Sequence, residues 1–471
     1  MSHIDRRRAL QSLAGAALAA PLAGLAQAKP IVIGLPIAKS GPAGVADHAD
    51  YLNGARLAAK QINAAGGVKG RPIELKVFDI DIMTPEGTQA AFRKMVDAKV
   101  QAIASPFCII PIPAMEAVAN YKAPYFNGNT SIAGMEHRKK NDKKFAHVFH
   151  LDPAETFYGA GFPIFLEQLQ ASGAWKPVNN KVHIVTEQLA YTQTITKSAE
   201  ENFKKRGKFE VAKVTQIQFP VQDWGPVLQE IKKTGAGVLM INHWVAAELA
   251  AFSKAFAANP LPGALVYLQY GPSQPEYLGL AGPAAEGFIW GTVYGAYADK
   301  QGQAFRSAYQ AEYVKPGQTM GMVYTGGGYD TIQLLAKAWG TADPDKFDDV
   351  NNTIRKMTYR GVNDPTVTSQ LELIFGGRFR EKLPAQDPDR ETVRFSPLRD
   401  NRPLSLERDV DNRDGDVSVG KPDGKADSDA MIRSAFDVRQ RLTTVSGARP
   451  IMPTRVTVPM SQDQISAADL R

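Results

Sequence analysis

Residues 53–75 read NGARLAAKQINAAGGVKGRPIEL, and this stretch contains the end of a helix, a turn and the start of a strand. Apolar side chains recur through the helix at three- and four-residue spacing, namely Leu52, Ala55, Ala59 and Ile62. Gly66 and Gly67 follow the last turn, where a residue in the left-handed conformation commonly closes a helix. A lysine–glycine turn then leads into the alternating run IELKVFD at residues 73–79. The stretch therefore predicts the return from a first helix to a second strand.

The same alternation of strands and helices extends in both directions from this stretch. A buried strand, IVIGL, precedes it at residues 31–35, and a helix that begins at Pro85 follows it. Three more elements complete the series: VQAIAS at residues 100–105, a helix after Pro113, and PYFNG at residues 124–128. Strands that alternate with helices in this way predict a parallel, doubly wound sheet and an α/β fold.

The pattern restarts after FAHVFH at residues 145–150 and predicts a second parallel sheet. Its strands are KVHIVTE at 181–187, residues 209–219, GVLMIN at 237–242 and ALVYLQ at 264–269, with helices near 155–170, 194–205, after Trp224, and at 245–256. A strand FIWGT at 288–292 leads to helices near 303–313, 329–339 and 347–357. These last helices have no sheet of their own, so we expect them to fold back over the first sheet and the repeated crossings to form a hinge.

We therefore divide the chain into two lobes. The N-terminal lobe is predicted to contain residues 29–150 and about 292–360, and the C-terminal lobe residues 151–291 and about 361–377. Residues 378–471 are rich in charge and proline with little periodicity, and we interpret them as a disordered extension, an unfamiliar appendage or the product of a reading-frame error.

The first 28 residues have the features of an export signal. Three arginines at residues 6–8 precede a short apolar stretch at 14–25 and a small-x-small cleavage site, Ala-Gln-Ala, at 26–28. The paired arginines resemble a twin-arginine signal, although Asp5 and Ala9 replace the usual residues, and the general secretory route is the alternative. No later segment reaches about 18 unbroken apolar residues, so we expect a soluble protein in a bacterial periplasm.

The composition argues against several classes of protein. The chain has 471 residues, a net charge of +7 that is spread along its length, and one cysteine, Cys108, which cannot form an internal disulfide. The dispersed charge indicates no nucleic-acid partner. The sequence contains no G-x-S-x-G elbow, H-E-x-x-H motif, phosphate loop or C-x-x-C pair, and its seven histidines are not at metal-ligand spacing. We therefore predict that the protein is not an enzyme and has neither a metal nor a cofactor.

Four segments together resemble the type I periplasmic binding proteins, which serve ABC importers of branched-chain amino acids and related amides. They are IVIGLPIAKSGPAG at 31–44, the stretch at 53–75 quoted above, EGFIWGT at 286–292 and YDTIQLLAKA at 329–338. The resemblance implies a monomer with two α/β lobes that close on a small polar molecule. It also implies that the closed form docks onto an ABC transporter permease in the inner membrane. An extracytoplasmic ligand sensor for a signalling partner is the alternative, because it would share the fold.

Candidate ligand-binding residues lie where open parallel sheets bind ligands, beyond the carboxyl ends of the strands. In the first lobe they are Ser40, His48, Ser105, Phe107, Cys108, Asn127, Asn129, Thr130 and Ser131. In family members that bind free amino acids, hydroxyls and backbone N–H groups after the third and fourth strands hold the ligand carboxylate. A helix that begins near Thr130 would offer such N–H donors, although Asn, Thr and Ser are also ordinary capping residues. After the third strand the sequence reads PFCIIPIP, so Cys108 or Ile109 stands where the family has a serine.

The resemblance implies that the second lobe supplies an aromatic residue and an acid for a ligand ammonium. The candidates there are Glu187, Tyr191, His243, Trp244, Gln269 and Tyr270. At the strand end where amino-acid binders carry their acid, this chain has the neutral Gln269, which cannot stabilise a buried ammonium as a carboxylate does. Glu187 or Asp47 is then either a replacement acid or a solvated loop charge. We expect the ligand to be a branched-chain amino acid, an amide, a urea-like compound or a small carboxylic acid.

Overall fold

The computed structural model describes most of residues 28–363 and two short strands beyond them. The described ranges are 28–128, 131–151, 154–171, 173, 175–292, 300–321, 323–357 and 359–363, together with the backbone of 394–399 and 402–403. The predicted signal and most of the tail after Gly377 lie outside these ranges. Within them, no helix combines the length and the apolar character needed to cross a bilayer.

The first lobe is built on a sheet of five parallel strands. These strands are β1 (Ile31–Ile37), β2 (Ile73–Asp79), β3 (Ala102–Ser105), β4 (Tyr125–Asn127) and β5 (Val148–His150), in the order β2-β1-β3-β4-β5. The helices that connect them are α1 (Val45–Ala64), α2 (Pro85–Asp97), α3 (Pro111–Val118) and α4 (Ile132–Lys140). The strand order reverses between β1 and β3, and in an open α/β sheet such a point forms a crevice for ligands.

The second lobe repeats the architecture. Its parallel strands are β6 (Lys181–Glu187), β7 (Glu210–Ile217), β8 (Val238–Asn242), β9 (Leu265–Gln269) and β10 (Ile289–Thr292), in the order β7-β6-β8-β9-β10. Its helices are α5 (Thr156–Ala171), α6 (Ala190–Arg206), α7 (Gly225–Thr234), α8 (Ala246–Ala258) and α9 (Tyr277–Ala281). The predicted fold class, two parallel-sheet α/β lobes, is confirmed.

Two short strands from the charged tail extend the second sheet. β11 (Arg394–Arg399) pairs antiparallel with β10, and β12 (Arg402–Pro403) pairs antiparallel with β11. The sequence does not predict these strands, because residues 378–471 have little hydrophobic periodicity.

The stretch at 53–75 ends α1 as its glycines predict. Gly66 and Gly67 have φ values of 98° and 73°, and the Gly67 N–H donates to the carbonyl of Ile62 at 2.9 Å. The Asn63 side chain then exchanges two hydrogen bonds with the backbone of Ile73, at 2.7 and 2.9 Å. The end of the helix is therefore tied directly to the first residue of β2.

Three helices follow β10, and two of them pack on α1. They are α10 (Lys300–Tyr313), α11 (Tyr324–Trp339) and α12 (Phe347–Lys356). The backbones of α1 and α11 approach so closely that a Cβ at Gly54 would overlap the carbonyl of Thr325, and a Cβ at Gly328 would overlap that of Tyr51. The three consecutive glycines of α11 lie within the helix, and Gly328 is the one that permits this contact.

Candidate functional site

A cavity of about 360 Å³ lies between the two lobes. Its lining includes residues 107–112, Ser131 and Ala133 from the first lobe and residues 188–191, Tyr158 and Trp244 from the second. Most of these residues follow the carboxyl ends of strands, where the strand order of both sheets predicts a ligand site. The volume is suited to a small molecule.

Aromatic rings form much of the cavity wall. Six of them line it: Phe107, Tyr158, Tyr191, Trp244, Tyr270 and Tyr324. Phe107 lies at the centre, with ring centroids 6.0 Å from Trp244 in an edge-on arrangement and 5.2 Å from Tyr324. The Nε1–H of Trp244 is buried and has no hydrogen-bond partner within the described part of the chain. The wall therefore offers mainly apolar surface, with one unpartnered donor buried beside it.

Asp47 hydrogen-bonds across the cavity to the opposite lobe. It lies in the first turn of α1, and its carboxylate accepts the hydroxyl of Tyr270 at 2.7 Å and the amide of Gln274 at 2.6 Å. Burial raises the pKa of Asp47 to about 8, although both hydrogen bonds act in the opposite direction. The nearby carboxyl groups of Asp50 and Glu276 raise the pKa further.

A second carboxylate, Glu155, lines the cavity from the connection between β5 and α5. Both of its oxygens accept the backbone N–H of Ile132, at 3.0 and 3.2 Å, so Glu155 meets the N-terminus of α4. The hydroxyl of Ser131 accepts the N–H of Gly134 in the same turn at 3.1 Å. Burial raises the pKa of Glu155 to about 7.

The predicted ligand residues are divided by the structure into three groups. Six line the cavity: Phe107, Cys108, Ser131, Tyr191, Trp244 and Tyr270. Seven do not: Ser40, His48, Ser105, Asn127, Glu187, His243 and Gln269. Asn129 and Thr130 lie outside the described residues.

The candidates that do not line the cavity have other contacts in the first lobe. Ser40 is exposed in the loop after β1. The buried His48 ring accepts the N–H of Ala38 through Nδ1 at 2.9 Å and packs edge-on against Phe107. Ser105 ends β3 and contacts the sulfur of Cys108 at 3.8 Å. His48 thus lies behind the aromatic wall, and Ser105 lies beneath the cysteine that reaches the cavity.

The second-lobe candidates beneath the wall form two pairs. Glu187 and His243 are buried in contact with each other, and Nε2 of His243 lies 3.0 Å from the carboxylate of Glu248. Gln269 donates its amide to the hydroxyl of Tyr191 at 3.0 Å. The Glu187 side chain is buried against His243 and does not line the cavity in this arrangement, so its role as the missing acid stays a prediction.

Glu155, Tyr158 and Tyr324 are among the lining residues that were not predicted. Glu155 and Tyr158 follow β5, and the predicted site contains no residue from the carboxyl end of β5 or of β2. The rule applied to the other strands would have found Glu155. Tyr324 comes from α11, and no local pattern indicates that this helix begins at the cavity.

The chain was compared with known families, curated proteins and solved structures. The periplasmic binding protein family model matches residues 30–372. No curated protein matches the chain significantly. A solved structure from Silicibacter pomeroyi, provisionally assigned as a branched-chain amino acid ABC transporter, is 25% identical with a TM-score of 0.66, covering 79% of this chain and 94% of that one.

Two further solved structures contain ligands. The branched-chain amino acid binding protein LivJ from Streptococcus pneumoniae, in complex with isoleucine, is 17% identical with a TM-score of 0.62, covering 80% of this chain and 98% of that one. A solute-binding protein of an ABC transporter from R. palustris, in complex with benzoate, is 18% identical with a TM-score of 0.59, covering 80% and 95%. At these identities the likeness shows the fold alone.

Proposed function

The chain belongs to the periplasmic binding protein family, and on that basis we propose that it captures a small molecule and delivers it to the permease of an ABC importer. Members of this family are solute-binding proteins of transporters rather than enzymes. The observation that carries the proposal is the cavity of about 360 Å³ enclosed between two lobes, with lining residues from both.

Lobe closure is the mechanism that this geometry supports. A ligand that touches both lobes binds the closed arrangement more tightly than the open one, so it shifts the population towards closure. Tyr191 and Trp244 would contact the ligand from the second lobe, and Phe107 and Ser131 from the first. The permease would then distinguish the closed form from the open one.

The proposal includes a location and a molecular state. We infer export to the periplasm by the signal in residues 1–28, through the twin-arginine or the general secretory route, and a monomer in solution. The lobe boundaries predicted from the sequence, including residues 292–360 in the N-terminal lobe, belong to the same proposal.

The candidate ligands are those named from the sequence, and the structural neighbours widen the range. A neighbour in this fold holds isoleucine and another holds benzoate, so the fold accepts both zwitterions and aromatic acids. For this chain we propose a small molecule with an apolar part that the aromatic wall covers.

A thermal-shift screen combined with small-angle X-ray scattering tests the proposed function. Amino acids, amides, ureas, amines and carboxylic acids are screened, and a ligand at 100 times its Kd should stabilise the folded protein by about 2.7 kcal/mol. The same ligand should lower the radius of gyration because the lobes close. Stabilisation without any change in the scattering profile would contradict closure, and a screen with no stabilising compound would contradict the binding function.

A further inference from the structure

Among the residues that the structure describes, the charged side chains that line the cavity are all acidic. Asp47 and Glu155 are the two, and none of the described lining residues is lysine or arginine. Building on the proposed function, we propose that the ligand is a small organic amine: a protonated nitrogen on an apolar body, without a carboxylate group.

The two carboxyl groups approach the cavity from different elements and are both buried. Asp47 comes from α1 of the first lobe, and Glu155 precedes α5 of the second. Their exposed fractions are 4% and 3%, so neither charge is stabilised by bulk water. A buried carboxylate is costly without a positive partner, and a ligand ammonium in the cavity would be such a partner.

Two helix N-termini beside the cavity are poorly suited to an anion. The first turn of α3 contains Pro111 and Pro113, which have no N–H to donate. In α4 the N–H of Ile132 is already accepted by Glu155, and that of Gly134 by Ser131. The protein's own carboxylate thus occupies the position at which a ligand carboxylate would meet α4.

The remaining wall suits the apolar body of an amine. Aliphatic side chains form much of the rest of the lining, beside the polar Gln188 and Thr194: Met83, Ile109, Ile110, Ile112, Leu189 and Val323. The faces of Trp244 and the neighbouring tyrosines attract a cation, which adds to the attraction of the carboxylates.

Proton release on ligand binding is a second quantity that tests the proposal. Burial raises the pKa of Asp47 to about 8 and that of Glu155 to about 7, so both are largely protonated near pH 6.5 when no cation is present. An ammonium favours the ionised carboxylates, so binding of an amine should release protons. Isothermal titration calorimetry in two buffers of different ionisation enthalpy measures that release.

Probes of one shape and different charge test the proposal. They are 3-methylbutylamine, 3-methylbutanamide, 3-methylbutanoate and leucine, with 2-phenylethylamine and 3-phenylpropanoate as a larger pair. We expect an amine to bind at least tenfold more tightly than the acid and the amide of matching shape, with proton release. Glu155→Gln should weaken amine binding tenfold or more, while the new amide oxygen can still accept the N–H of Ile132. Glu136→Gln, an exposed change on α4 that also removes one negative charge, should leave the affinity unchanged.

The outcomes separate this inference from the proposed function. If an acid or leucine binds as tightly as the amines and closes the lobes, the amine proposal is overturned and the binding function stands. The anion would then be bound at the start of α6, whose first residues also line the cavity and which has no side-chain cap. If no compound binds or closes the lobes, both proposals are overturned. Should Glu155→Gln fail to fold, the wild-type ranking of amine against acid, together with proton release, still decides.

Discussion

At the scale of single residues, Trp244 packs against other aromatic rings and also carries a hydrogen-bond donor. Its ring packs beside Phe107 and Phe219, and its Nε1–H has no partner within the described residues. Ring packing contributes to stability, whereas a buried donor without a partner costs free energy until a ligand or another group satisfies it.

We expect Trp244→Phe to keep most of the packing and to remove the donor. Affinity for the ligand found by the screen should fall about tenfold, which corresponds to about 1.4 kcal/mol, with a small change in Tm. Trp339→Phe is the matched control, because Trp339 is fully buried in the first lobe away from the cavity and its Nε1–H is likewise unpartnered among the described residues. An equal loss of affinity in both variants would argue against a role for the Trp244 donor.

The raised pKa of Asp47 predicts that the stability of the folded protein depends on pH. Its pKa in the folded protein is about 8, against about 3.8 in the unfolded chain, so the folded state holds the proton more tightly. Stability from this group is greatest below about pH 4, falls as the pH rises to about 8, and is constant above that. Asp47→Asn should therefore flatten the decline of Tm between pH 5 and 8.

For Asp47→Asn the quantity to measure is the slope of Tm against pH, rather than the value of Tm at one pH. The asparagine oxygen can accept from Gln274 and its amide can donate to the Tyr270 hydroxyl, but this exchange of partners changes Tm at every pH. Burial also raises the pKa values of Asp50 and Glu155 to about 7. The stability from these two groups falls with rising pH in both proteins, so a residual slope remains in the variant. Parallel Tm curves for wild type and variant would show that Asp47 does not titrate as its burial requires.

At the scale of elements, the contact between α1 and α11 depends on two glycines. Gly54 and Gly328 each face the backbone of the other helix at a distance that leaves no room for a Cβ. Close packing of this kind makes the interface intolerant of even one added methyl group.

Gly54→Ala should reduce the free energy of unfolding by about 1–3 kcal/mol, because the added Cβ overlaps the carbonyl of Thr325. Urea denaturation measures this loss. Gly279→Ala in α9 is the control, since no atom lies near its Cβ position and alanine has the higher helix propensity. A variant at Gly54 as stable as the control would show that the two helices separate without cost.

At the scale of the whole molecule, the two lobes are joined by hydrogen bonds between their own side chains. Gln274 donates to Asp47 across the cavity, and its own oxygen accepts the N–H of Ala246. The hydroxyl of Tyr270 adds a second bond to the same carboxylate. These bonds favour the closed arrangement, and a ligand that contacts both lobes would shift the population further towards it.

We expect Gln274→Ala to open the ligand-free protein. Its radius of gyration should exceed that of wild type, because one of the two bonds to Asp47 is lost, and ligand should bring the two proteins to the same value. Scattering profiles with and without ligand measure this. Gln89→Ala, which removes an amide bonded to Arg93 on the surface of α2, should scatter like wild type. Identical ligand-free profiles for all three proteins would mean that the Asp47 bonds do not hold the lobes together.

The sequence by itself determined the two-lobed α/β fold, because hydrophobic period, glycine turns and strand–helix alternation are local properties of the chain. The structure contains the helix end, turn and strand that the sequence at 53–75 predicts. The strands β2 and β6 begin and end at the residues that their sequence patterns predict. The residues at strand ends were found for the same reason, with Tyr191 and Trp244 on the cavity wall.

Only the tertiary structure decided which polar groups face the cavity. Glu187 and Asp47 are both acids near strand ends, yet Glu187 is paired with His243, while Asp47 reaches Tyr270 in the other lobe. Glu155 came to the N-terminus of α4 from a segment more than twenty residues away. Side-chain orientation and burial depend on contacts between distant segments, and these contacts exist only when both lobes have folded and met.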